Sequence, residues 1–231
     1  MKVHFFDQYE RAFDEKDVLK SLHMPEDHAF GESIAALLER TDQIAKPKGF
    51  FMECALEANT GSTVTVEGYT FHSPILCKKL KGLTTVYPYA STCSNELADY
   101  AETLTDMVEK FAFDAVMEFY RRQIDAVVAG AVEDLLPEGQ VASASNPGSL
   151  IGWHIREQKP LFELFGENAV KAGIRLNESC LMFPVKSVAG IRFGSSEVTH
   201  DCALCQKKNC PNRKAAFSMK AFLAAKGEDE M

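Results

Sequence analysis

Three cysteines near the end of the chain have the spacing of a metal site. They are Cys202, Cys205 and Cys210, and Pro211 follows the last of them. The short first gap lets two thiolates reach one cation or one edge of a cluster, and the longer second gap brings in a third. Soft thiolate ligands favour zinc or an iron–sulfur cluster over hard cations. The residues therefore predict either a structural metal or a centre for one-electron chemistry.

Three interpretations of this segment are open from the residues alone. An iron–sulfur cluster needs a fourth ligand, such as His200, another cysteine or a small molecule. Zinc finds four ligands in His200, Cys202, Cys205 and Cys210. In the third interpretation the cysteines hold no metal and are either idle or open to oxidation.

Composition and charge argue against several function classes. The formal net charge is −8, so the chain offers no basic face for phosphates and nucleic acid is not expected as a partner. No segment approaches the roughly 20 apolar residues that span a bilayer, and we find no signal peptide. Seven cysteines in 231 residues are too few for a secreted disulfide scaffold. We therefore predict a cytoplasmic protein with reduced thiols and no membrane partner.

The elements that must position such a site follow from hydrophobic periodicity. Residues 1–46 are predicted to be a helical segment, with helical spacing from residue 7. Strand patterns over 49–57 and 63–66 predict a hairpin, and Ser73-Pro74 is typical of a helix start. Apolar residues at helical spacing over 109–133 predict a long helix packed on the core.

The second half of the chain continues the irregular alternation. Residues 141–145 are predicted to be extended, 157–165 helical, and 174–180 and 186–193 strands. This pattern favours an α+β fold: a single domain with a mostly antiparallel sheet flanked by helices, followed by a short Cys-rich metal-binding tail. We divide the chain into the helical segment 1–46, the α+β domain 47–199, and the Cys-rich tail with a C-terminal helix, 200–231.

Three blocks in fixed order carry a resemblance to a known family. They are ASNPGS at 144–149, EQKPLFELFG at 157–166 and LNESCLMFPVKSVAGIRF at 176–193. Together they resemble the activation domain of cobalamin-dependent methionine synthase, and resemble more closely the stand-alone bacterial forms of that domain that end in a cysteine-rich tail. The match is good over about 140–213, looser over 45–135, and absent from the first 25 residues.

The resemblance implies a role in reductive activation of a corrinoid-dependent methyltransferase of the methionine synthase kind. The family binds S-adenosylmethionine in a shallow groove and presents its methyl group to a cobalamin that a partner holds. This rescues cobalt that has slipped to the inactive cob(II) state. The implied partners are a corrinoid-binding methyltransferase or its cobalamin domain, and an electron donor such as flavodoxin or ferredoxin. The alternative is a non-catalytic module that docks on a corrinoid protein, with zinc holding its tail. Whether the chain is itself an enzyme stays open.

The resemblance also implies which residues bind the ligand. These are Asn146, Pro147, Gly148, Ser149, Glu178, Arg192 and Phe193. Ala144 stands where the family has an arginine, and Ser149 stands where it has a tyrosine. Arg192 replaces an aromatic residue that lines the groove. We hypothesise that Arg192 supplies the cation that Ala144 lacks, since a guanidinium pairs well with a carboxylate.

Overall fold

Strands and helices alternate irregularly in the computed structural model, which describes residues 1–149, 152–197, 201–206, 208, 213 and 215–226. The strands are β1 (Lys2–Phe6), β2 (Lys48–Asn59), β3 (Thr63–Val66), β4 (Tyr69–His72), β5 (Thr85–Thr92), β6 (Val141–Ser145), β7 (Arg175–Leu176), β8 (Met182–Phe183) and β9 (Ser187–Ser195). The helices are α1 (Glu15–Ser21), α2 (Phe30–Ile44), α3 (Pro74–Lys79), α4 (Asn95–Thr103), α5 (Met107–Glu133), α6 (Gln158–Phe165), α7 (Glu167–Lys171) and α8 (Met219–Lys226). None of these helices is both long enough and apolar enough to cross a bilayer.

Seven of the described strands form one antiparallel sheet. Its order is β4-β3-β2-β5-β9-β6, and β1 pairs beside the first half of β2. Strand β2 has 12 residues, and two strands lie along the same edge of it: β1 pairs with its first half and β3 with its second half. The predicted α+β class, with a mostly antiparallel sheet flanked by helices, is confirmed.

The N-terminal segment differs from the prediction of a helical stretch over 1–46. Residues Lys2–Phe6 form β1 and pair antiparallel with β2. The ring centroids of His4 and Phe6 lie 4.4 and 6.0 Å from that of Phe51. The alternation of inward and outward side chains is a strand pattern, but five residues are too short a run to stand out against the helical spacing that follows.

The ends of helices and strands agree with the predicted ends where a single capping or turn residue sets them. Ser73 caps α3 through its side chain and Pro74 is the first helical residue, as predicted. The strand predicted over 174–180 is shorter, since only Arg175–Leu176 forms β7. Asn177 then closes a turn through its backbone and its side chain.

Helix α5 covers one face of the sheet, which we call the α5 face. Its first half packs with α1, α2 and α4 in a separate helical cluster. In its second half Val128 and Val132 pack on Tyr87 and Tyr89 of β5. A helix of 27 residues is about 40 Å long, which is enough to join the two cores.

The opposite face of the sheet is covered by α3, α6 and α7. Alternating strand residues reach it, so Phe50 packs there against Phe165 while its neighbour Phe51 packs on the α5 face. Adjacent residues of β9 obey the same rule. This alternation separates two of the predicted ligand residues, Arg192 and Phe193.

Candidate functional site

The Pro-Gly loop (Asn146–Ser149) follows directly from β6 and is held at two points. The Asn146 side-chain amide donates to the Tyr89 hydroxyl across 2.8 Å. The Gly148 N–H donates to the backbone oxygen of Trp153, also across 2.8 Å. Gly148 has a φ of +85°, which favours glycine at this position. The loop therefore has a defined position relative to β5.

The close approach of the Pro-Gly loop to β9 depends on Gly190. The Asn146 side-chain amide also donates to the backbone oxygen of Ala189 across 2.8 Å, which brings the loop onto this strand. A Cβ at Gly190 would lie 2.3 Å from the backbone oxygen of Ser145 and 2.4 Å from Asn146 Nδ2. A side chain at this position would therefore displace the loop.

Arg192 lies on the α5 face and is paired with α5. Its Nη2 donates to Oδ1 of Asp125 across 2.6 Å, and its guanidinium carbon lies 4.1 Å from the centroid of the Tyr89 ring. Arg192 is only 5% exposed, so water screens this pair weakly. Its Nε is also buried and has no hydrogen-bond partner among the described residues. One donor of a buried cation is thus unused within the described part of the protein.

Ala144 is the direct cross-strand partner of Arg192 in the β6–β9 register. Residues opposite each other in an antiparallel pair have Cβ atoms about 4.5–5.5 Å apart. An arginine at the position of Ala144 would therefore start from a point of the sheet next to that of Arg192.

The Arg192–Asp125 pair continues along α5 as a short network. Arg121 Nη1 lies 3.8 Å from Asp125 Oδ2, and Arg121 donates to both oxygens of Glu118, across 2.7 and 3.1 Å. Arg122 donates to Glu118 across 3.0 Å. Burial raises the pKa of Glu118, but the hydrogen bonds and charges of the two guanidinium groups outweigh it and hold the pKa below its usual value. The carboxylate is therefore ionised at neutral pH.

Tyr89 joins the Pro-Gly loop to this network, and the sequence reasoning missed it. Burial raises the pKa of Tyr89 to about 12, so the hydroxyl stays protonated while it accepts from Asn146. Its place in a predicted strand does not distinguish it from its neighbours.

Asp125 had a clearer signal, because it is a charged residue in the most apolar stretch of the chain, 124–132, and buried charges require partners.

The structure brings together only some of the predicted ligand residues. Asn146 and Arg192 meet at Tyr89, the first at its hydroxyl and the second at its ring. Phe193 is 1% exposed and packs in the apolar core of the opposite face, so its position does not support a ligand contact beside Arg192. Glu178 is exposed on a separate loop, the turn that follows β7.

The predicted metal ligands are only partly described. Cys202 and Cys205 are partly exposed residues of one turn, where the Cys205 N–H donates to the Cys202 carbonyl oxygen across 3.3 Å. His200 and Cys210 lie outside the described residues. Within the described residues no group of three potential ligands is placed to hold a metal ion. The metal centre stays a prediction.

Two cavities in the described part of the chain involve none of the predicted ligand residues. The larger, about 470 Å³, lies between α2 and the start of α5, and its lining includes Phe30, Leu37, Arg40 and Val108. The other, about 310 Å³, is lined in part by Tyr9, Arg11, Asp42 and Tyr120. The candidate site around the Pro-Gly loop is therefore not one of these two cavities.

Comparison with solved structures relates the fold of this chain to a known domain. No protein-family model matches the chain, and no curated protein matches its sequence. The fold is similar to a crystal structure of the MetH reactivation domain bound to AdoHcy, with a TM-score of 0.65 and 15% sequence identity. The similarity covers 87% of this chain and 80% of that one. At this identity it shows the fold, and the ligand and activity must be argued from the site.

Proposed function

We propose that the chain supports the reductive activation of a corrinoid-dependent methyltransferase of the methionine synthase kind, with S-adenosylmethionine as methyl donor. The observation that carries this proposal is the fold that it shares with a MetH reactivation domain that binds AdoHcy. The three sequence blocks fall on connected parts of that fold: the Pro-Gly loop, α6 and the segment from β7 to β9. AdoHcy is what S-adenosylmethionine becomes when it loses its methyl group, so one groove serves both.

The proposed chemistry couples an unfavourable electron transfer to a favourable methyl transfer. One electron reduces the partner's cob(II)alamin to cob(I)alamin, whose electron pair attacks the sulfonium methyl group. A cobalt–carbon bond forms, the sulfur–carbon bond breaks and AdoHcy leaves. Because methyl transfer consumes cob(I)alamin as it forms, it draws the reduction forward. The chain contributes orientation, holding the methyl group towards the cobalt of the partner.

Asn146 and Arg192 are the proposed polar contacts, with the backbone of Pro147, Gly148 and Ser149 as a cradle. Asp125 engages one side of the Arg192 guanidinium, while the buried Nε has no partner among the described residues. We assign that donor to the carboxylate of the ligand's methionine group, which reaches it only when the groups that cover Nε move aside. The cross-strand position of Ala144 supports the idea that Arg192 replaces the cation expected there.

Cys202, Cys205 and Cys210 are proposed to hold an iron–sulfur cluster, with zinc as the alternative. A bound cluster would supply one-electron transfer towards the cobalt, whereas zinc would only hold the tail. The two described thiols share one turn and are partly exposed, which fits a site that a metal can reach. Flavodoxin or ferredoxin is the proposed upstream donor, in the cytoplasm, where thiols stay reduced.

Calorimetry with AdoHcy and S-adenosylmethionine tests the groove. The wild type is expected to bind one molecule, and Asn146→Ala is expected to bind at least about ten-fold more weakly because the loop loses its link to Tyr89. Asn168→Ala is the matched control, since Asn168 also donates through its amide to a backbone oxygen, that of Phe165 on α6. A wild type that binds neither ligand contradicts the methyl-donor role.

Anaerobic metal analysis separates the proposed function from the docking alternative. The proposal predicts iron and acid-labile sulfide in protein purified without oxygen. Colourless protein with one zinc per chain, combined with no AdoHcy binding, would favour a docking module with a structural tail.

A further inference from the structure

We propose that Arg213 is a positioning residue for the cysteine turn (Cys202–Cys205), and that it fixes the backbone so that two thiolates can bind one metal ion. The inference rests on the metal centre proposed above. Arg213 is not one of the proposed metal ligands, and the cysteine spacing does not indicate it.

One guanidinium engages the backbone of both described cysteines. Arg213 Nη1 donates to the Cys202 carbonyl oxygen across 3.0 Å, and Nη2 donates to the Cys205 carbonyl oxygen across 3.2 Å. A guanidinium can make both bonds at once because its donors lie in a rigid planar fork. Nη1 also donates to the carbonyl oxygen of Ala215 across 3.2 Å, which fixes Arg213 against its own segment.

The cysteine turn is also joined to the body of the protein. The Ser218 N–H donates to the Ala203 carbonyl oxygen across 2.8 Å, immediately before α8 begins. Helix α8 packs on α3, and its Phe222 is only 7% exposed and lies 5.6 Å from Phe217, ring to ring. The carbonyl oxygens of the turn are thus engaged by a segment that is itself docked on the domain.

Metal binding requires a defined distance between the two thiolates, and the backbone of the cysteine turn sets that distance. Zinc–sulfur bonds of about 2.3 Å in a tetrahedral site place two thiolates about 3.8 Å apart. A turn with free carbonyl groups samples many other separations, and ordering it lowers the affinity. Residues that orient metal ligands without touching the metal typically change affinity by about 10–100-fold. The permanent positive charge of Arg213 also offsets the negative charge of a thiolate-bound metal.

A Co²⁺ titration of the full chain under anaerobic conditions tests the proposal, with thiolate-to-cobalt absorbance as the signal and Zn²⁺ displacement as the second readout. Arg213→Gln removes the fork and the charge, whereas Arg213→Lys keeps the charge but cannot span both carbonyl oxygens. Lys208→Gln is the matched control, because Lys208 is an exposed cation of the same tail. We expect both Arg213 variants to bind Co²⁺ and Zn²⁺ about 10–100-fold more weakly, and Lys208→Gln to match the wild type within about two-fold.

The outcomes separate the two levels of inference. Wild-type affinity in Arg213→Lys alongside weak binding in Arg213→Gln means that charge alone matters, and this overturns the positioning role. Wild-type affinity in both variants overturns it as well. A wild type that binds neither ion removes the metal centre, and Arg213 with it, while AdoHcy calorimetry on the same sample still reports on the groove. Unchanged thermal unfolding of the variants shows that weak metal binding is not loss of the fold.

Discussion

The Tyr89 hydroxyl accepts a hydrogen bond from the Asn146 side-chain amide across 2.8 Å, and this contact joins the Pro-Gly loop to the middle of the sheet. The ring of the same tyrosine lies under the Arg192 guanidinium, 4.1 Å from its central carbon. Two residues from distant parts of the sequence thus share one buried support. Tyr89 therefore supports two of the candidate ligand residues, although no motif indicates it.

Tyr89→Phe is expected to weaken AdoHcy binding several-fold and to lower the free energy of unfolding by about 1 kcal/mol. The ring under Arg192 remains, but the Asn146 amide keeps only its bond to the Ala189 oxygen. Calorimetry and urea unfolding measure the two effects. Tyr87→Phe is the control, since Tyr87 packs in the same layer of the α5 face. Equal losses of binding in both variants would contradict a specific role for the Tyr89 hydroxyl.

Two glycines of β9 give a matched pair of substitutions. A Cβ at Gly190 meets the backbone oxygen of Ser145 at 2.3 Å, which cannot move without the strand. A Cβ at Gly194 meets chiefly the end of the flexible Gln140 side chain, which can rotate away. We therefore expect Gly190→Ala to cost about 1–3 kcal/mol of unfolding free energy and to abolish AdoHcy binding, with Gly194→Ala close to wild type.

Urea unfolding and calorimetry on the two glycine variants decide this point. Similar stabilities would show that the Ser145 contact relaxes easily. Retained AdoHcy affinity in Gly190→Ala would show that the loop position does not matter for binding.

Arg192→Ala is expected to destabilise the fold by about 3 kcal/mol, because the partly buried carboxylate of Asp125 loses the guanidinium that pairs with it. AdoHcy affinity is expected to fall at least about ten-fold if Nε binds the ligand carboxylate. Lys186→Ala is the control: its pair with Asp114 is short, 2.8 Å, but Asp114 is largely exposed, so a loss below about 1 kcal/mol is expected. Unchanged AdoHcy affinity in Arg192→Ala would end the idea that Arg192 replaces the cation missing at Ala144.

The sequence predicted the elements better than the contacts between them. The long helix α5 was readable because its apolar residues repeat with helical spacing, and the β2–β3 hairpin because a turn separates two strand patterns. The short β1 was missed because five alternating residues carry little signal. Whether a segment is a helix or a strand is read from its local residue pattern. The pattern is long for α5 and for β2–β3 and short for β1.

The candidate site was only partly predictable because its contacts are long-range. Asn146 was indicated by its block, but the chain gives no sign that its partner is Tyr89, 57 residues away. Alternation along β9 implies that Arg192 and Phe193 lie on opposite faces of the sheet. It does not predict which of the two residues lies on the same face as the Asn146 side chain of the Pro-Gly loop. That assignment depends on where α5 packs, which is a tertiary outcome.

Glu118→Gln is expected to remove a pH-dependent part of the stability. Although burial opposes the charge on Glu118, the bonds from Arg121 and Arg122 prevail and lower its pKa in the folded state. Its contribution is therefore complete above the unfolded value of about 4.3 and is lost as the pH falls through the lower, folded value. Urea unfolding between about pH 3 and pH 7 should show wild type well above Glu118→Gln at neutral pH and the two converging in acid. Glu163→Gln, at an exposed position of α6, is expected to follow the wild type throughout. Parallel curves for wild type and Glu118→Gln would mean that the ion pairs of Glu118 add nothing to folding, and the network on α5 would then serve only to orient Arg192.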